Sequence, residues 1–420
     1  MRLRLGTFGS GYPPTQRAIL SASSTPSFSA TLSLHEHAGN EVAELDTIEG
    51  SSLSDFGAMT KPHISVLIDT YNQERYIEQA IVSVLEQDFP REEMEIVVVD
   101  DGSTDNTPFV IQQFLPSVRY IRLTNGGQVA AYNATLPELN GRIVCFLDGD
   151  DWWAKEKLTA VAEAFERNPK VAAVGHGFYE VRNNEPAREM FVPAKTCLLD
   201  LSSIEAARLA DAGLTLLGTS RLSVRREILN RIGPIPLESI FFDAPIFGFA
   251  LALGGALILD RPLCYYRQHS QNLYAPIAID AVTERRKFER LGFLLSYVPP
   301  RLAEFGVAPD VIDAFVESPR VEFERAQLYS GKGGRLQAFR TERRRFRAQY
   351  QNRSAGYRLF EFAVGACALI LPPRNFYQLL GWYGRHNFAR FRSAFGKAQP
   401  KVPPAFFQRR SVAERELPSS

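Results

Sequence analysis

The stretch Ile143-Val144-Cys145-Phe146-Leu147-Asp148-Gly149-Asp150-Asp151-Trp152-Trp153 decides how this chain is read. Five apolar residues lead directly into three acids around a glycine, the signature of a buried strand that ends in a polar turn. Three earlier runs, Ile64 to Ile68, Glu95 to Val99 and Val118 to Leu123, have the same β-rich character. Between the first two, Tyr76, Ile77, Ala80, Ile81, Val84 and Leu85 recur at helical spacing and mark one buried helix face. This βαβα order predicts an α/β fold with a doubly wound, mainly parallel sheet flanked by helices. Such sheets bind ligands beyond the carboxyl ends of their strands, and the polar residues cluster there.

Three carboxylates within four positions repel one another unless a proton or a metal joins them. Hard oxygen ligands suit Mg²⁺ or Mn²⁺ bridging a diphosphate. Read without chemistry, the same residues are an acidic turn capping a helix over Ala154 to Asn168; the apolar lead-in weighs against that. The first strand runs into Asp69-Thr70-Tyr71-Asn72 and the second into Asp100-Asp101-Gly102-Ser103-Thr104-Asp105. A carboxylate at such an edge can accept from a nucleobase N–H or a ribose hydroxyl, and Tyr71 can stack on a ring. The alternative is a turn in which Asp105 or Thr107 caps the next helix.

Composition bounds the rest. The chain has 420 residues, 45% hydrophobic and 23% charged, enough for a full core and two to three domains. Its 48 Lys and Arg against 47 Asp and Glu leave a formal charge of +1, which gives no field to hold a nucleic acid. Cys145, Cys197, Cys264 and Cys367 lack metal or disulfide spacing and read as four buried thiols in a reducing compartment. The apolar runs Pro245 to Leu259 and Phe362 to Leu371 are shorter than the roughly 20 residues of a spanning helix. A cytoplasmic location is expected, with peripheral contact on the inner membrane face as an option.

Residues 1–60 are rich in Ser, Thr, Ala, Gly and Pro without a sustained period, and disorder is expected there. Met59, directly before the first strand, leaves room for the upstream residues to be a dispensable extension. His35, His37, His63, His176 and His386 form no metal-ligand pairing.

The two acidic strand ends together resemble the nucleotide-binding half of family 2 glycosyltransferases with the GT-A fold. Further segments resemble that family in the same order: Asn125-Gly126-Gly127-Gln128 with Asn133, Gly218-Thr219-Ser220 with Arg225-Arg226-Glu227-Ile228, Phe242-Asp243, and Tyr266-Arg267-Gln268-His269. The resemblance covers residues 63 to about 275 and implies an inverting transfer from a nucleotide-diphosphate sugar to an acceptor hydroxyl. It implies nucleotide contacts at Thr70, Tyr71, Asn72, Asp101, Asn125, Asp148 and Arg267, a divalent cation at Asp150, Asp148 and His269, and a general base at Asp243. Arg267 and His269 would close over the diphosphate. Two positions depart from the pattern: Asp69 replaces a proline or small residue, and Phe242 stands where an acid precedes the base, the nearest other acid being Glu238. The processive members' Gln-x-x-Arg-Trp finds only Gln378-Leu379-Leu380-Gly381-Trp382, without the arginine and far too late, which favours single transfers.

Rival readings are weaker. A dehalogenase-type phosphatase also carries Asp-x-Asp after an apolar strand but requires Thr or Val where Trp152 stands, and no Gly-x-Gly-x-x-Gly follows the first strand to suggest a dinucleotide enzyme. A non-catalytic nucleotide-sugar-binding relic would keep the site without turnover. The domains expected are the GT-A unit over 61–275, a helical C-terminal region over 276–400 and a flexible tail over 401–420. In the helical region Arg340, Arg343, Arg344, Arg345 and Arg347 precede the apolar Leu359 to Leu371. That pairing suits a membrane interface carrying a glycan or lipid-linked acceptor, or a helical cover packed on the catalytic domain.

Overall fold

The computed structural model describes residues 63–182, 189–213, 218–269, 272, 281–350, 355–385 and 407–411. The expected extension over 1–60 lies outside them, as do His35, His37 and His386. The first half alternates as read: β1 (Ile64–Thr70), α1 (Ile77–Leu85), β2 (Met94–Asp100), α2 (Thr107–Gln112), β3 (Arg119–Arg122), α3 (Gln128–Thr135) and β4 (Ile143–Asp148). β2 and β4 lie parallel on either side of β1, and β3 is parallel to β2. The register sets Asp69 opposite Asp148 and Thr70 opposite Asp100, so the acids end side by side on one sheet edge.

Val66, Ile68, Val98, Val144 and Leu147 are fully buried in this layer, and α1 buries Ile77, Ala80, Ile81 and Val84 over it. Each such side chain contributes about 1.5–3 kcal/mol when taken out of water, which holds the acid-bearing strand ends together against their repulsion.

After β4 the sheet becomes mixed. β5 (Trp152–Trp153), α4 (Lys157–Arg167), β6 (Ala173–Arg182), β7 (Glu189–Pro193), β8 (Cys197–Leu199), α5 (Ile204–Gly213), β9 (Ser223–Arg225), α6 (Arg226–Ile232), α7 (Asp243–Leu253) and β10 (Ala256–Gln268) follow. Short β9 runs antiparallel between β4 and β6, and β10 lies parallel to β6. The apolar run Pro245 to Leu259 is split by Gly254 and Gly255 into α7 and the start of β10; α7 is buried nearly all round, as a helix without a polar face must be.

The remainder is helical: α8 (Ala281–Glu304), α9 (Pro309–Phe315), α10 (Glu317–Tyr329), α11 (Arg335–Tyr350), α12 (Ala355–Ala366) and α13 (Pro373–Arg385). Tyr297 of α8 meets Phe249 of α7 edge-on, and Leu328, Ala338, Ala368, Phe376 and Tyr377 form a second small core. The arginine-rich stretch is partly consumed within this layer. Arg344 pairs with Glu317 and Glu324, and Arg345 with Glu342, while Arg340, Arg343 and Arg347 stay exposed. No helix among the described residues is long and apolar enough to cross a membrane.

Two expectations need correction. Only Cys145 and Cys264 are buried; Cys197 is half-buried and Cys367 exposed, because it lies in the turn after α12 rather than in the core. Within the expected tail, β11 (Phe407–Ser411) pairs antiparallel with β7 and covers an edge whose backbone groups would otherwise lack strand partners.

The helical layer is tied to the catalytic sheet by Asp211 of α5, which accepts from the backbone N–H and the hydroxyl of Ser318 on α10, the latter at 2.6 Å. Burial pushes the Asp211 carboxyl up to about 7, and its other oxygen has no partner, as expected for an acid that keeps its proton. The folded state therefore binds this proton more tightly than the unfolded chain. The stabilisation is full below about pH 4 and is lost as pH rises through about 7. Urea unfolding of wild type and Asp211→Asn at pH 5 and pH 8 should show wild type losing stability relative to the variant by up to about 3 kcal/mol. A pH-independent difference would remove the titration from Asp211.

Candidate active site

The ends of β1 and β2 are laced to each other by side chains that cap backbone. Asp100 accepts from the Ser103 N–H at 2.7 Å and the Tyr120 hydroxyl at 2.8 Å; Asn72, with φ at +53°, accepts from the Thr104 N–H at 2.8 Å. Asp105 accepts from the N–H groups of Glu74 and Thr107, so for Asp100, Asn72 and Asp105 the turn reading describes what the side chains do. Asp101 joins this edge to the glycine turn, accepting from the N–H of Gly126 and of Gly127, each at 2.8 Å.

These residues open onto a cavity of about 1460 Å³. Thr70, Tyr71, Asn72, Asp101, Asn125 and Asp148 all line it, and Tyr71 is 45% exposed there, an unusual position for an aromatic ring. Asp150, His269 and Asp243 also reach it.

On the cavity floor, one oxygen from each of Asp148, Asp150 and Asp151 lies within 4.8 Å of the others. The Gln128 side-chain amide donates to Asp69 and to Asp148, at 3.0 Å each. Asp69 thus adds a fourth carboxylate to the cluster. Burial, then the charge of Asp150, raises the Asp69 and Asp151 carboxyls to about 7; burial, then Asp69 and the neighbouring acids, holds Asp148 well above the carboxylate range. Asp151 is already engaged on both oxygens, by the Ser220 hydroxyl at 2.6 Å and the Arg267 N–H at 2.9 Å. His269 Nε2 lies 3.0 Å from Asp150 Oδ2, with its ring stacked on Tyr76. Carboxylate oxygens from Asp148 and Asp150 with one imidazole nitrogen form a donor set that fits Mn²⁺ or Mg²⁺.

Arg267 corrects an expectation. It is only 4% exposed and does not line the cavity, so it is not placed to close over a diphosphate. Its guanidinium lies over the rings of Trp152 at 4.5 Å and Tyr76 at 4.8 Å, donates from Nε to the Asp150 carbonyl, and reaches Gln79. It fastens the turn that carries the acids.

Across the cavity, Asp243 is the first residue of α7 and accepts from the Ala244 N–H at 2.7 Å. Phe242 before it is buried, stacked on Tyr132 at 4.5 Å and tilted against Phe146 of β4. An acid at that position would have no partner in this aromatic packing; Glu238 lies on the cavity wall instead. Asn133, matched above to the family's glycine-turn segment, exchanges two hydrogen bonds with the Ile235 backbone and supports the approach to α7.

Several participants escape sequence reading: Gln128 as a bridge between acids, Ser220 as the partner of Asp151, and Arg221 on the cavity wall. Lys157 is also unforeseen. Fully buried, it donates to the Ser220 carbonyl at 3.1 Å and sits 3.2 Å over Trp153, and burial lowers its ammonium to about 7.

Residues 65–233 match the family model described as Glycosyl transferase family 2. Over 251 residues the chain is 33% identical to an uncharacterized glycosyltransferase of Nostoc sp. (strain PCC 7120), a match spanning 58% of this chain and 76% of that protein. The chain belongs to glycosyltransferase family 2 and is a glycosyltransferase enzyme. It is also 42% identical over 102 residues to the putative teichuronic acid biosynthesis glycosyltransferase TuaG of Bacillus subtilis, covering 23% of this chain and 40% of that one. A 132-residue stretch is 36% identical to the UDP-Glc:alpha-D-GlcNAc-diphosphoundecaprenol beta-1,3-glucosyltransferase WfgD of Escherichia coli, covering 31% and 50%. The chain thus spans half or less of these last two relatives. Among solved structures, S. aureus TarS 1-349 in complex with UDP-GlcNAc aligns with a TM-score of 0.48 at 20% identity, over 76% of this chain and 92% of that one.

Gly102 has φ at +77°, and a Cβ there would lie 2.7 Å from the Asn125 backbone nitrogen. Gly102→Ala should therefore cost about 1–3 kcal/mol in urea unfolding, through backbone strain and the push on the glycine turn that Asp101 holds. Unchanged stability would show that this edge can yield.

Proposed function

We propose that this enzyme transfers one sugar at a time, with inversion, from a nucleotide-diphosphate sugar to an acceptor hydroxyl, assisted by one Mn²⁺ or Mg²⁺ ion. The observation that carries the reading is that the acid cluster at the end of β4 and Asp243 at the start of α7 open onto one cavity. Thr70, Tyr71, Asn72, Asp101 and Asn125 form the wall for the nucleoside, with Tyr71 offering a ring face to the base and Asp148 an acceptor to the ribose. Asp150 and His269, with Asp148 beside them, would hold the cation; when bound, it offsets charge growing on the diphosphate leaving group.

Asp243 receives the proton of the attacking hydroxyl. Its carboxylate accepts from the Ala244 N–H at the amino end of α7, where the helix dipole favours the anion a base must be. A single displacement inverts the anomeric centre. Arg267, Ser220 and Gln128 keep the acids in place while charge shifts, so little reorganisation is required at the moment of transfer.

The acceptor side is the part of the cavity beyond Asp243, which runs to Leu291 and Leu294 of α8 and Ser318 of α10. The names of TuaG and WfgD support a glycan or lipid-linked acceptor. A cytoplasmic enzyme docked on the inner membrane face suits such an acceptor. The α12–α13 region exposes Leu359 at 71% and Ile370 at 72%, with Arg340, Arg343, Arg347, Arg358 and Arg374 exposed on the helices α11 to α13.

The central test pairs two substitutions. Asp243→Asn keeps shape and removes basicity, so transfer should fall by about 10²- to 10⁴-fold with nucleotide affinity nearly unchanged, whereas Asp150→Asn should lose metal-dependent nucleotide binding in calorimetry. Near-normal transfer by Asp243→Asn would move the base role to Glu238. Donor hydrolysis by the wild type separates an enzyme from a binding relic. Sedimentation with vesicles rich in anionic lipid should show binding that weakens with salt and on changing Arg343 and Arg347 to Gln. No binding at low salt would leave the helices as a packed cover only.

A further inference from the structure

Arg221 closes the 3-10 turn Thr219–Arg221 and is half-buried on the cavity wall. Its guanidinium lies 4.2 Å over the Phe178 ring and 5.6 Å from that of Tyr266. Gly218 makes room for it, since a Cβ at 218 would come within 2.4 Å of the guanidinium. The turn beneath is pinned: the Ser220 hydroxyl is committed to Asp151, and the Ser220 carbonyl accepts from Trp153 at 2.9 Å and from Lys157. The cation therefore has a fixed position set by aromatic packing.

Asp151 feels the charge of Arg221, but no acid is paired with it directly. Among the described residues no hydrogen bond or ion pair reaches the Arg221 guanidinium, in contrast to Arg325 and Arg345 on the same cavity wall, which pair with Glu322 and Glu342. The acids around it are committed elsewhere: Asp151 to Ser220 and Arg267, and Glu180 to Arg182 at 2.6 Å. A guanidinium held in place against two rings, with its donors facing the cavity, binds an anion without the entropy cost of ordering a free side chain, and its planar fork suits a carboxylate or phosphate.

We propose that Arg221 is a specificity residue that holds an oxyanion, a carboxylate or phosphate carried by one of the two reacting sugars. The inference rests on the sugar-transfer reading above and adds that one partner in the reaction is an acidic sugar or a sugar phosphate. The diphosphate is assigned to the corner of Asp150 and His269, so Arg221 serves a charge distinct from it.

Calorimetry on the full chain with Mn²⁺ and either UDP or GDP tests this, using glucose 1-phosphate, glucuronate and glucose as probes, with UDP-glucuronate compared against UDP-glucose. Wild type should favour a charged probe over its neutral counterpart by roughly tenfold to a hundredfold. Arg221→Gln should abolish that preference, and Arg221→Lys should keep part of it, while affinity for the nucleotide diphosphate stays the same. A preference confined to UDP-glucuronate assigns the anion to the donor sugar; one confined to the free probes assigns it to the acceptor. Equal binding of charged and neutral probes by wild type would overturn the proposal, as would a matching loss of UDP or GDP affinity in Arg221→Gln. The free probes are also measured without nucleotide, so the preference is decided even if neither nucleotide binds, a result that would count against the sugar-transfer reading instead. Melting temperatures of both variants check that each is folded.

Discussion

Repulsion among Asp69, Asp148, Asp150 and Asp151 is the constraint to which the rest of the molecule answers. Bringing four carboxylates to the ends of adjacent strands is unfavourable by itself, and the carboxyls of Asp69, Asp148 and Asp151 are raised first by their burial and then by one another's charge. The structure meets it with donors from every side: Gln128 from α3, Ser220 from the turn before β9, and the Arg267 backbone from β10. The remainder is left to a ligand. Carboxylates gathered on a cavity floor are poised for a cation, and the buried apolar strands behind them keep them from relaxing by spreading apart.

The fold of the first half was legible because its elements are locally encoded. β1, β2 and β4 are short apolar runs, and α1 shows a 3.6-residue stripe, so order and parallel pairing followed from period and connection rules. The second half was not. β9 is three residues long and β5 two, lengths that carry no periodic signal, and their place in the sheet is set by partners distant in sequence. The arginines of α11 show the same limit. A run of basic residues reads as one charged face, yet Arg344 and Arg345 are turned to acids on α10 and α11 while Arg343 and Arg347 are exposed.

The site divides in the same way. Residues at strand ends, Thr70, Tyr71, Asp101, Asp148 and Asp150, could be placed because the end of a parallel strand has a known location. Arg267 could not, since a motif gives a residue's presence and not its direction, and here two rings and a backbone carbonyl draw the guanidinium under the acid turn. Gln128, Ser220 and Lys157 act through contacts across tens of residues, which no local pattern announces.

Asp101 spends both oxygens on the N–H groups of Gly126 and Gly127, and this has a thermodynamic corollary. Glycine-rich turns are ordinarily the most mobile backbone at a ligand's edge, and ordering them on binding subtracts from affinity. In this chain the two hydrogen bonds to Asp101 tie the turn to the end of β2, so part of that ordering belongs to the folding equilibrium. A nucleotide meeting this edge would then use less of its contact energy in arranging the turn, and more of it would count toward residence time.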